Sequence, residues 1–203
     1  MMVGLEAAEI IGTLAFALSG FYVAIKDRLD LLGIFIASFL TALGGGLVRD
    51  TIAGRLPYTF THLLPSILVI GVLVLSIALK LHRRNEIEKK LYFIISDTLG
   101  LVSFSISGAL VGLQVGFNFF GVILLALLTA VGGGVMRDIL LNRVPILLTS
   151  EFYGTVSLLV GTILFVLHQW NIEGLLPLSL VFLVSVILRL VAYYKQWHLP
   201  KIG

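Results

Sequence analysis

GGGLVRD at residues 44–50 and GGGVMRD at residues 132–138 are one phrase written twice, 88 residues apart. Outward from this pair, residues 9–61 align with residues 97–149 at the same offset and without a gap. Ser19-Gly20 falls on Ser107-Gly108, Gly33 on Gly121, Thr41-Ala42 on Thr129-Ala130, Arg55 on Arg143 and Pro57 on Pro145. Matches clustered in this way mark an internal duplication. The surroundings are strongly apolar: of 203 residues 59% are apolar and 12% charged, with a mean hydropathy of +1.09. A typical soluble domain has roughly 45–50% apolar and 25% charged residues, so a soluble globule is excluded, and so is a chain kept extended by its charges.

A bilayer core of ~30 Å takes ~20 apolar residues at ~1.5 Å each. Seven stretches qualify, at 5–25, 31–48, 63–81, 91–113, 117–136, 152–168 and 174–194. The expected fold is therefore an all-α membrane protein forming a single transmembrane domain over 1–203. Repeat one covers 1–81 with helices one to three, a loop covers 82–90 (HRRNEIEKK), repeat two covers 91–170 with helices four to six, and 171–203 holds helix seven and a tail. An odd number of crossings per copy inserts the second copy upside down. The result is an inverted repeat of three plus three helices with one more appended, an architecture tied to transport paths near the bilayer midplane.

Basic residues set the orientation, since they gather on the cytoplasmic side. Arg49 and Arg55 fall on the N-terminal side, and Lys26, Arg28, Lys80, Arg83, Arg84, Lys89, Lys90, Arg137, Arg143, Arg189, Lys195 and Lys201 on the other. The N-terminus is expected outside, the C-terminus and the 82–90 loop in the cytoplasm, and no removable signal peptide is expected. The loop's basic residues either fix this topology or attract anionic lipid heads. Cysteine is absent, which removes disulfides, thiolate metal sites and thiol nucleophiles.

The glycine triplets allow two readings. Each glycine forfeits about 1 kcal/mol relative to alanine inside a helix, so helices two and five are expected to break at Gly44, Gly45, Gly46 and at Gly132, Gly133, Gly134. These lie ~20 Å into the bilayer by the same helical rise. Unwound backbone there must line protein or a water-filled cavity, and its carbonyls can replace part of a cation's hydration shell. The other reading is close helix crossing, for which membranes use small residues.

Arg49, Asp50, Arg137 and Asp138 place charge just beyond the triplets, where it is costly and faces the bundle interior or water. Adjacent residues on a helix do not face one another, so each arginine is expected to look past its aspartate to a more distant acid. Glu9 and Asp97 occupy repeat-equivalent positions, which points to two related clusters, Arg49 with Glu9 and Arg137 with Asp97, framing two mouths of one path. The same pairs read equally as salt bridges that only lock helices. Ser19, Thr41, Ser107 and Thr129 are candidate path-lining residues, although such hydroxyls often bond back to their own helix. His62, His82, His168 and His198 lack ligand spacing, and neither a nucleophile motif nor a phosphate loop occurs. No enzyme activity, metal site, cofactor or nucleic-acid partner is expected.

Two copies of GGG-x-x-R-D, each in the middle helix of a three-helix repeat and followed by a seventh helix, resemble the prokaryotic members of the TRIC family, the trimeric intracellular cation channels. The resemblance covers essentially the whole chain from about Glu6. It implies a homotrimer with one pore per protomer, broken second and fifth helices beside that pore, passage of monovalent cations such as K⁺, and a cytosolic C-terminus; Na⁺ and membrane lipids are further expected partners. Animal members carry a lysine motif linked to phosphoinositide near the glycines. No Lys stands in or next to either triplet here. The function expected is a K⁺ channel of a prokaryotic plasma membrane. The alternative is a secondary transporter of a small solute such as an amino acid, since discontinuous helices in inverted repeats also serve alternating access and relatives of this type have been labelled glycine transporters.

Overall fold

A computed structural model describes residues 2–149 and 152–197; Lys201, His198 and the rest of the expected tail's end lie outside the described residues. The order is α1 (Met2–Lys26), α2 (Leu31–Ile52), α3 (Tyr58–Thr61), α4 (Leu64–Ala78), a 3-10 turn (Leu81–Arg83), α5 (Glu86–Gln114), α6 (Phe119–Leu140), α7 (Ile146–Thr149), α8 (Tyr153–Gln169) and α9 (Leu175–Tyr194). There is no strand among the described residues. The protein is an all-helical, multi-pass membrane protein. Among the described residues five helices, α1, α2, α5, α6 and α9, are long and apolar enough to cross a membrane. The other two apolar helices are shorter, 15 residues in α4 and 17 in α8, or about 22 and 25 Å of rise.

The duplication holds down to individual caps. The Asp30 side chain accepts from the Gly33 N–H at 2.7 Å and opens α2, and Asn118 does the same for α6 from the Gly121 N–H at 2.9 Å. Both satisfy an amide that a helix N-terminus leaves without an internal partner. Left-handed residues turn the chain at matching places, Arg28 with Gly116 and Gly54 with Asn142. α2 and α3 map onto α6 and α7 residue for residue at the offset of 88. The repeats also pack on each other: α1 lies against α5 and α2 against α6, while α4 flanks α1 as α8 flanks α5. α5 is the hub, with 89% of its apolar window buried, and α9 the outermost, with 22%.

Two expectations need correction. α2 and α6 do not break at the glycine triplets; both run unbroken through them. A Cβ on Gly45 would stand 2.0 Å from the Thr129 carbonyl oxygen, and one on Gly133 would stand 2.2 Å from that of Thr41. The middle glycine of each triplet is therefore where the two helices touch backbone to backbone, and the contact outweighs the propensity cost of glycine. The 82–90 loop is also shorter than expected, because Asn85 caps a helix at the Glu88 N–H (2.8 Å) and Glu86 to Lys90 form the first turn of α5.

Candidate functional site

The first Arg-Asp pair ends α2. The Arg49 side chain is 4% exposed. Its Nε donates to Asp50 Oδ1 at 2.8 Å, and its Nη1 donates to Glu9 Oε1 on α1 and to Ser107 Oγ on α5. Ser107 in turn donates to Glu9 Oε1 at 3.3 Å. Asp50 Oδ2 accepts from the Tyr58 N–H at 2.9 Å and so ties α3 back to α2. This cluster opens into a cavity of about 520 Å³ whose lining includes Glu6, Glu9, Arg49, Asp50, Arg55 and Gln114, with Thr13 and Tyr58 beside them. Arg55 Nη2 donates to Gln114 Oε1 at 3.2 Å across its rim.

The second cluster repeats the first with differences. Arg137, with a fully buried side chain, donates from Nε to Asp138 Oδ1 at 2.8 Å. Asp138 Oδ2 accepts from the Ile146 N–H at 3.0 Å. Ser19, the counterpart of Ser107, donates to Asp97 Oδ1 at 3.2 Å. Arg137 and Asp97 make no ion pair within 4.0 Å. Asp97 instead lies beside Tyr153 of α8 and within electrostatic reach of both Arg137 and Arg189. Where the first repeat joins Arg55 to neutral Gln114, the second joins Arg143 to Asp27 in an ion pair.

Two expectations about pairing fail for reasons of reach. Each arginine does pair with the aspartate next to it. The two Cβ atoms diverge, but the long Arg chain curls back, and the Asp is held in place by the amide of the following short helix. At this depth an uncompensated guanidinium is costly enough to favour such a conformation. The Arg137–Asp97 contact is absent because aspartate is one methylene shorter than glutamate, so Asp97 stops at Ser19 where Glu9 reaches Arg49. Thr41 and Thr129 donate to the carbonyls of Ala37 and Leu125, each at 2.6 Å; their hydroxyls lie against Gly20 of α1 and Gly108 of α5, and their own carbonyls stand at the α2–α6 crossing.

Sequence reasoning missed Tyr153 and Arg189. Arg189, counted with the cytoplasmic basic residues, is buried, and its guanidinium lies over the Tyr153 ring at 5.0 Å and near Tyr193 at 5.8 Å. A charged residue fifteen positions into the apolar run 174–194 was the available signal, since charge at such depth marks a partnered, interior position.

Fold and site define a duplicated helical membrane protein whose central helices each end in a buried Arg-Asp pair. A family model described as "Glycine transporter" matches the chain twice, on residues 6–81 and 94–169, once per repeat. The fold also matches solved TRIC channels: a prokaryotic TRIC channel in 0.5 M KCl (TM-score 0.89, 30% identity, 98% of this chain and 100% of that one) and a structure of TRIC cation channels solved for the basis of their conductance (TM-score 0.83, 32% identity, 98% and 97%). The chain belongs to the TRIC family. It is 34% identical to the membrane protein YvgT of Bacillus subtilis over 97% of this chain and 95% of that one, and 30% identical to the inner membrane protein YadS of Escherichia coli over 94% and 91%. Both are named only as UPF0126 proteins.

Proposed function

We propose that this protein is a monovalent cation channel of a prokaryotic plasma membrane, passing K⁺ and Na⁺ through a path inside each subunit of a homotrimer. The chain crosses the membrane seven times in two inverted repeats, with the N-terminus outside and the C-terminus in the cytoplasm. The observation that carries this reading is the pair of repeat-related Arg-Asp clusters flanking the α2–α6 crossing, one of which meets a cavity of about 520 Å³. Its likeness over nearly the whole chain to TRIC cation channels supports the same reading.

In this account Glu6, Glu9 and Asp50 draw cations to the mouth, where they outnumber Arg49 and Arg55 in the cavity wall. An inward guanidinium opposes a passing cation, so each arginine gates by moving toward or away from its acid. Gly45 and Gly133 bring the two central helices close enough for both clusters to act on one path. Ser19 and Ser107 assist as hydroxyl partners of the acids.

The description of the matching family model favours one rival, a carrier for glycine. Proteoliposomes holding the purified protein separate the two. The channel reading predicts rapid K⁺ flux that rises linearly with gradient and does not depend on glycine. Saturable, ion-coupled uptake of labelled glycine with negligible K⁺ flux would overturn it.

A further inference from the structure

The duplication lets the surroundings of the two Arg-Asp pairs be compared wall by wall. The first pair borders the cavity of about 520 Å³. The family model matches residues 6–81 and 94–169, again 88 apart at both ends, so the cavity wall has a counterpart position by position. Glu6 and Ile10 are exposed there and Glu9 and Leu68 half-buried. Their counterparts Ile94, Thr98, Asp97 and Val156 are all buried. The space that stands open in the first repeat is filled in the second.

One substitution within the duplication accounts for most of the filling. Pro65, in the cavity wall at the start of α4, corresponds to Tyr153 at the start of α8, and the larger Tyr153 side chain is buried. The Arg189 guanidinium lies over its ring at 5.0 Å, a cation–π distance, and comes from α9, which follows both repeats. The polar wall is lost as well, because Glu6 and Thr13 of the cavity give way to Ile94 and Leu101.

We infer that Tyr153 is the occluding residue of the second half of the path: beneath Arg189, its ring fills the space that Pro65 leaves open in the first. Close-packed side chains leave no room for water, and a narrow apolar stretch stops ions by dewetting. The ring is what blocks, so the hydroxyl is dispensable for occlusion. Conduction requires the ring to leave this place, which gives the second half a cavity like the first.

The chain has no cysteine, so single introduced thiols report the filling directly. Leu68→Cys stands in the open cavity and Val156→Cys at its buried counterpart. The purified protein is treated with a small cationic thiosulfonate. Leu68→Cys is expected to react at least about tenfold faster than Val156→Cys, whose reaction waits on local opening. Adding Tyr153→Ala speeds Val156→Cys at least about tenfold, and adding Tyr153→Phe, which keeps the ring, changes it less than about twofold. Val69→Cys, buried in α4, stays slow throughout. An unchanged Val156→Cys rate with Tyr153→Ala, equal acceleration by Phe, or acceleration shared by Val69→Cys overturns the inference. Should Tyr153→Ala fail to fold, Tyr153→Leu carries the same test with the same sign.

Only the link to conduction rests on the channel reading. In planar bilayers Tyr153→Ala raises open probability at least about fivefold while Tyr153→Phe stays within about twofold of the parent. An open probability unchanged by Tyr153→Ala overturns the inference. A bilayer silent for parent and variants alike overturns the channel reading instead, and the labelling rates then decide whether Tyr153 fills the second cavity.

Discussion

Within one glycine triplet the three positions have different tasks, and substitution separates them. Ala at Gly45 or Gly133 drives a methyl into a backbone carbonyl at 2.0 or 2.2 Å. Neither atom can yield without parting α2 from α6, so a cost on the order of 3 kcal/mol is expected, the upper end of overpacking penalties. Gly46 meets nothing within 4 Å, and Gly134 only the Arg137 Nη2 at 3.8 Å. Ala there fits, and better helix propensity contributes up to about 1 kcal/mol. Thermal unfolding of the four variants in one detergent checks this: Gly45→Ala and Gly133→Ala lower the midpoint while Gly46→Ala and Gly134→Ala hold or raise it. A uniform response of all four would show that the crossing does not depend on the middle glycine. The same residues show why the break was misread. A run of glycine both loosens a helix and permits close approach, and which effect wins depends on what stands opposite, here Thr129 and Thr41, 84 and 92 residues away in sequence.

Elements are held by repeat-related fastenings whose strengths differ. Asp30 and Asn118 cap α2 and α6 in the same way, so Ala at either costs about 1 kcal/mol, and equal drops in unfolding midpoint are the expected outcome. The rim contacts are unequal: Arg143 meets the Asp27 carboxylate whereas Arg55 meets the neutral Gln114 amide. Charge-assisted hydrogen bonds are roughly twice as strong as neutral ones. Gln114→Ala is therefore expected to disturb the fold less than Asp27→Ala, by about 1 kcal/mol, and their unfolding midpoints measure the difference; a larger loss for Gln114→Ala would contradict it. Element boundaries were legible to within a few residues because apolar runs end where caps and left-handed turns begin. The short α3 and α7 were not, since their order comes from Asp50 and Asp138 reaching eight residues ahead to a backbone amide.

For the whole molecule the duplication was the most legible feature, carried by exact correspondences such as Arg49-Asp50 with Arg137-Asp138. What it concealed was departure from symmetry: the missing methylene of Asp97, and α9, outside both copies, which contributes Arg189 to the interior. Alignment of two copies cannot reveal a contact made by a helix outside both. The proposed membrane topology is itself measurable. Single cysteines at Arg55 and at Arg84, introduced into this cysteine-free chain, are expected to react with an impermeant thiol reagent from the outside and only after permeabilisation, respectively. Labelling of both from one side would contradict the proposed seven crossings.

The most direct test of the account is the current across a planar bilayer holding the purified protein under a KCl gradient, compared with Asp138→Asn. Asp138 compensates Arg137 within the second cluster, and one uncompensated guanidinium near the path adds about 1.4 kcal/mol to a cation's barrier, a tenfold effect. The account predicts unitary steps reversing toward the K⁺ equilibrium potential, with the current cut about tenfold in the variant. A silent bilayer, an anion-selective reversal, or a variant indistinguishable from the parent would contradict it.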